Sequence, residues 1–133
     1  VLLMRLKSDL FDLLMAATDS NGQGVENVEL QWDRRTALGV VMAAGGYPGA
    51  VRSGDVISGL PTTAPIDGMV FHAGTQRRED GAIVTSGGRV LCVTALGDTV
   101  KAAQQRAYAM AADIRFEGAQ MRSDIGHRAL KAR

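Results

Sequence analysis

The residues best suited to chemistry lie in three short glycine- and arginine-rich stretches. Gly39–Gly49 reads Gly-Val-Val-Met-Ala-Ala-Gly-Gly-Tyr-Pro-Gly. Its apolar run, Val40–Ala44, leaves no polar face and predicts a strand buried on both sides. Gly45 and Gly46 then admit backbone angles closed to other residues, and Pro48 pushes Tyr47 toward an extended conformation. Such a turn can present backbone N–H groups and one phenol to a ligand; it can equally be a tight connection between two strands. Ser86-Gly87-Gly88-Arg89 sets a guanidinium after a flexible turn, where it can fork onto phosphate or carboxylate. Arg122 and Arg128 flank a predicted helix start, a suitable surrounding for an anion. The plain alternatives are a hairpin and a capped terminal helix.

Other chemical templates fail. Neither G-x-G-x-x-G nor G-x-x-x-x-G-K-[S/T] fits the glycine turn. His72 and His127 are too far apart in sequence to read as a ligand pair, no Cys/His or H-E-x-x-H spacing suits zinc, and no serine sits in G-x-S-x-G. Asp55, Asp80, Asp98 and Asp124 stand beside glycine or at presumed element ends, which favours capping and turn roles. Cys92, the only cysteine, lies within Val90–Val93 and reads as a small buried hydrophobe. A single cysteine forms no internal disulfide and suits a reducing cytoplasm. A net charge of +1 over 133 residues argues against nucleic acid or a membrane as partner. No stretch approaches the roughly 20 apolar residues of a membrane span.

The elements that must position these residues follow from periodicity. Leu3, Leu6, Leu10, Leu13, Leu14 and Ala17 recur at helical spacing, predicting one amphipathic helix over Leu2–Ala17. Thr18–Gly24 reads as a polar loop, and Asn27–Trp32 as a short strand or a loop anchored by Trp32. Strands are expected at Thr36–Ala44, Met69–Gln76, Ala82–Ser86 and Arg89–Leu96, with a charged hairpin connection at Arg77–Gly81 and a second hairpin across Gly87-Gly88. Thr99 starts a helix to Arg115, with Val100, Ala103, Ala107, Ala111 and Ile114 on its buried side. A short last helix falls at Gly126–Lys131. A helix, then strands with hairpins, then a helix makes an α+β fold with a small, mostly antiparallel sheet. From the residues alone, the reading is an anion-binding α+β module.

In order and spacing, several stretches resemble the carboxyl-terminal part of glycinamide ribonucleotide synthetase (phosphoribosylamine–glycine ligase), in the ATP-grasp superfamily. They are Arg5–Leu10 (Arg-Leu-Lys-Ser-Asp-Leu), Leu38–Gly49, Gly54–Ile57 with Gly59-Leu60, Val70–Thr75, Ser86–Gly97, and Asp124–Gly126 with Arg128-Ala129. The resemblance implies an enzyme of de novo purine (IMP) synthesis, located in the cytoplasm. It uses Mg2+ and ATP to make a glycyl phosphate, which the amine of 5-phosphoribosylamine attacks. It also implies that residues 1–30 are the last helix and linker of the ATP-grasp domain, and that residues 31–133 are the carboxyl-terminal domain. The magnesium ligands and most of the ATP cleft would lie upstream. This piece alone is then expected to bind no metal or ATP and to be inactive. Its partners would be the ATP-grasp and amino-terminal domains of its own chain, with glycine and 5-phosphoribosylamine as substrates. A non-catalytic anion-binding or interaction module is the competing reading.

No residue is assigned a catalytic or metal-binding role. The candidates for the phosphoribosyl side are Lys7, Gly45, Gly46, Tyr47, Gly88, Arg89, Arg122 and Arg128. The sharpest expectation is that Arg89 and Arg128 converge near the Gly45–Tyr47 turn. The leucine stripe of the first helix is expected to be more exposed than its composition suggests.

Overall fold

The computed structural model describes residues 1–18 and 24–131. Its centre is a three-stranded antiparallel sheet in the order β1 (Thr36–Ala43), β5 (Arg89–Gly97), β2 (Gly68–His72). The register sets Leu38 opposite Ala95, Val40 opposite Val93, and Met42 opposite Leu91. Because side chains alternate along a strand, these pairs share one face. That face meets α3 (Val100–Asp113), whose Ala103, Ala107 and Ala111 are all buried. Alanine at this spacing leaves a narrow helix surface and lets α3 sit close to the strands. Thr99 caps it, its hydroxyl accepting from the Ala102 N–H at 3.1 Å.

The opposite face of the sheet carries Gly39, Val41, Thr94 and Cys92, and α1 (Leu2–Arg5) packs against it. The sequence predicts a single helix over Leu2–Ala17, but α1 ends at Arg5 and α2 begins at Leu10 (Leu10–Thr18). Between them Leu6 bridges Trp32, and the Lys7 N–H donates to Gln31 O at 2.9 Å. The Asp9 carboxylate accepts from the N–H groups of Phe11 and Asp12, so it caps the new helix. Of the leucine stripe, Leu3, Leu10 and Leu14 are exposed as expected, while Leu6 and Leu13 are half-buried. Leu2, Phe11 and Met15, off that stripe, are exposed as well. Val25–Asn27 is a short 3-10 turn, and the stretch to Trp32 is the loop alternative, tied down by the Leu6–Trp32 bridge. Most of the predicted loop at Thr18–Gly24 lies outside the described residues.

The expected strand at Met69–Gln76 is likewise divided. β2 ends at His72, and β3 (Thr75–Arg77) pairs with β4 (Ile83–Thr85) in a second, two-stranded sheet. The Arg77–Gly81 connection is the real hairpin turn, closed by Arg78 N–H to Ala82 O and Gly81 N–H to Arg78 O. Gly87-Gly88 is therefore not a hairpin between β4 and β5. It is a corner where the chain leaves one sheet for the other, beside the matching crossing at Ala73-Gly74. The Gly74 N–H donates to Arg89 O and the Ser86 N–H to Gly74 O, both at 2.8 Å. α4 (His127–Lys131) closes the described chain.

Candidate functional site

The glycine turn follows β1 directly. Tyr47 N–H donates to Ala44 O, Gly49 N–H to Gly46 O, and Arg52 N–H to Gly45 O, winding residues 45–52 into a compact loop. Gly46 has φ +87°, a left-handed conformation that also brings Ala50 O against the position a side chain would fill. The Tyr47–Pro48 peptide is cis. The loop folds onto the sheet corner: Ala44 N–H donates to Gly88 O at 2.9 Å, and the Tyr47 ring lies over Gly88. A Cβ on Gly88 would stand 2.5 Å from Tyr47 Cδ2, so glycine is what admits the ring.

A second segment approaches from the far side. Gln120 and Ala43 exchange main-chain hydrogen bonds of 2.8 and 2.9 Å at the end of β1. Tyr108 on α3 donates its hydroxyl to Arg122 O at 2.6 Å and accepts from Ile125 N–H at 3.0 Å. Gln104 Nε2 adds a 2.7 Å bond to Ile125 O. Residues 120–125 are thereby hung between β1 and α3 and face the glycine turn.

These elements border an open cleft of about 470 Å3. Its floor is the open sheet face, at Gly39, Val41 and Ala43. Gln120, Met121 and Ile125 make one wall, and Tyr47, Arg89 and Arg122 supply the polar groups. Tyr47 and Arg89 also border a neighbouring cavity of about 520 Å3 that reaches Cys92. Cys92 is thus a half-buried group on the open face, not core as its sequence neighbours imply.

The arginines are not equivalent. Arg122 forks onto Asp124 through bonds of 2.8 and 2.6 Å. Those bonds hold the Asp124 carboxyl down to about 2 and raise the Arg122 guanidinium above its ordinary value. The pair is locally neutral. Arg89 pairs with no carboxylate among the described residues, so it is the free cation of the cavity. Arg128 is exposed on α4 and absent from the lining, so Arg89 meets Arg122 rather than the expected Arg128. Lys7 is exposed and lines neither cavity. Gly45 and Gly46 shape the turn from behind Tyr47, and Gly88 seats its ring.

An apolar floor with one free guanidinium and one phenol suits binding and orienting an anionic ligand with a less polar body. Among the described residues no group of three or more His, Cys, Asp or Glu side chains is placed to hold a metal, so they do not fit a magnesium site.

Comparison with known proteins decides the family. The description "Phosphoribosylglycinamide synthetase, C domain" matches residues 37–128. The chain belongs to the phosphoribosylglycinamide synthetase C-domain family. This C domain is 56% identical to the phosphoribosylamine–glycine ligase of Ralstonia nicotianae and 53% identical to that of Salmonella typhimurium, each over 130 residues. Both alignments cover 98% of this chain and 30% of the relative, so the chain spans about 30% of the length of these curated relatives. A crystal structure of phosphoribosylamine–glycine ligase from Thermotoga maritima superposes with a TM-score of 0.59 at 41% identity, covering 74% of this chain and 23% of that one. The match extends to the α+β architecture. Among the described residues no helix is long and apolar enough to cross a membrane.

Proposed function

We propose that this C domain forms the phosphoribosylamine-binding wall of a cytoplasmic phosphoribosylamine–glycine ligase, with the phosphate held at Arg89. The observation that carries the reading is the meeting of Arg89, unpaired with any carboxylate among the described residues, with Tyr47 over an apolar floor in a domain of this family. A phosphate monoester gains strongly from charge-assisted bonds, and an unpaired guanidinium supplies them best. Val41, Ala43 and Met121 would shed water around the sugar, and Tyr47 would bound it on the turn side. Arg122, already forked onto Asp124, would shape the rim. In the ligase reaction the substrate amine attacks the acyl carbon of glycyl phosphate, forming the C–N bond as phosphate leaves and the amine loses a proton. Holding the phosphate fixes where that amine can reach.

Mg2+ and ATP supply the activation of glycine in this reading, and both belong with the ATP-grasp part of the ligase. Residues 1–30 are taken as the last helix and linker of that part, and residues 31–133 as the C domain proper. The exposed apolar side chains of α1 and α2 support this division, because they are the surface such a neighbour would cover.

Kinetics on the full-length ligase carrying this domain test the proposal. Arg89→Ala is expected to raise the Michaelis constant for phosphoribosylamine roughly 10- to 100-fold, the equivalent of one lost charged hydrogen bond, and to leave that for ATP near its parent value. Arg128→Ala, off the cavity, is expected to change neither. An Arg89→Ala enzyme with unaltered phosphoribosylamine kinetics refutes the assignment.

A further inference from the structure

Asp55 is a buried carboxylate with an unmet acceptor. Its side chain is only 8% exposed, Oδ1 lies 2.8 Å from Arg52 Nε, and Oδ2 is buried with no hydrogen-bond partner. A buried carboxylate with half its acceptors unmade is expensive, and one ion pair with a 60% exposed arginine repays little of that as stability. What the pair does achieve is geometric. The main chain around Asp55 is fixed to β4: Gly54 N–H donates to Thr85 O at 2.7 Å, Thr85 N–H to Asp55 O at 2.9 Å, and Asp55 N–H to Thr85 Oγ1 at 3.1 Å. Thr85 is itself fully buried. From that anchor the carboxylate reaches back to Arg52, whose own N–H closes the glycine loop on Gly45 O at 2.9 Å. Val51, next to it, packs beside Gly88 together with the Tyr47 ring.

We propose that Asp55 is a positioning residue that clamps Arg52, and through it the Gly45–Arg52 loop, so that Tyr47 is held at the edge of the cavity. The proposal rests on the reading of that cavity as the phosphoribosylamine site. The loop is attached to β1 at one end and to β4 at the other, and β4 belongs to the second sheet. Without the clamp its far end is held by the Arg52 N–H bond to Gly45 O and by the bonds of Gly54 and Asp55 to Thr85. No side-chain tie then runs from Arg52 to the second sheet, and residues 46–52 gain freedom. Tyr47 is then no longer pre-set, and substrate binding must order it.

The test uses the full-length ligase with Arg52→Met, Asp55→Asn and the double variant. Arg52→Met changes an exposed side chain, so it keeps the proposal falsifiable if Asp55→Asn fails to fold. Hydrogen exchange without ligand is expected to quicken in residues 45–52 and to stay unchanged in β1 and β5. The Michaelis constant for phosphoribosylamine is expected to rise roughly three- to tenfold with kcat and the ATP constant near parent values, and the double variant to be no worse than the singles. Unchanged loop exchange in Arg52→Met overturns the clamp. Quickened exchange with unaltered phosphoribosylamine binding overturns the positioning of Tyr47 for substrate. Failure of the ligase reading itself shows separately, as an Arg89→Ala enzyme with parent kinetics.

Discussion

Gly88→Ala perturbs the contact on which the cavity edge depends. The new Cβ would stand 2.5 Å from Tyr47 Cδ2 and 3.0 Å from Cε2, against the roughly 3.5–4.0 Å of a relaxed carbon contact. The ring must retreat by about 1 Å, and at 41% exposure it has solvent to retreat into. Overpacking of this kind costs about 1–3 kcal/mol, and the open ring argues for the lower half of that range. Gly88 itself is not in the left-handed region, so alanine brings no backbone strain. Once Tyr47→Ala removes the ring, the next contact is Val51 Cγ1 at an ordinary 3.4 Å. Alanine should then be neutral, or stabilising by about 0.4–1 kcal/mol through the unfolded chain. Urea denaturation of the chain, followed by circular dichroism in the parent, both single variants and the double, measures this sign change as a coupling energy. A Gly88→Ala penalty that persists in the Tyr47→Ala background would refute the packing account.

Other outcomes follow from the same geometry. Leu91→Ala empties the centre of the sheet where Leu91 is 1% exposed, and should cost about 2–5 kcal/mol in the same unfolding assay. Asp124 has its carboxyl lowered from 3.8 to about 2 by Arg122, so its contribution is present above about pH 4 and lost as pH falls toward 2. The difference in acid stability between parent and Asp124→Asn should therefore shrink over that interval; exposure and salt screening keep it small. The chain by itself should fold on its own core but show no Mg-dependent ATP turnover, as measured by phosphate release.

Where local pattern decided the outcome, the sequence was legible. Val90–Leu96 became the central strand, and the alanine spacing of α3 marked its buried side. Val40–Ala44, read as a strand buried on both sides, instead fell at the end of edge strand β1 with Val41 exposed on the open face. Nothing in the local run tells an edge strand from a central one. The break after Arg5 left a local signal too, because Ser8-Asp9 before an apolar run is a cap; leucine periodicity continuing across it hid the break. Gly87-Gly88 carries the composition of a hairpin, yet which strand pairs with which depends on partners far along the chain. The crossing at Gly74 is one such partner. At the candidate site, Tyr47 and Arg89 were foreseeable because each follows a glycine turn. The choice of Arg122 over Arg128 was not. It follows from Gln120 pairing with Ala43 and from the Tyr108 hydroxyl, contacts that no spacing rule encodes. Val41, Gln120 and Met121 were missed for the same reason.

The central claim is that Arg89 receives the phosphate of the phosphoribosyl substrate. A crystal structure of the full-length ligase with bound glycinamide ribonucleotide tests it most directly. The account predicts the phosphate oxygens within hydrogen-bonding reach of the Arg89 guanidinium, about 2.7–2.9 Å, beside Tyr47 and over Val41. A phosphate bound elsewhere, with Arg89 turned to solvent or paired to a carboxylate of another domain, would contradict it.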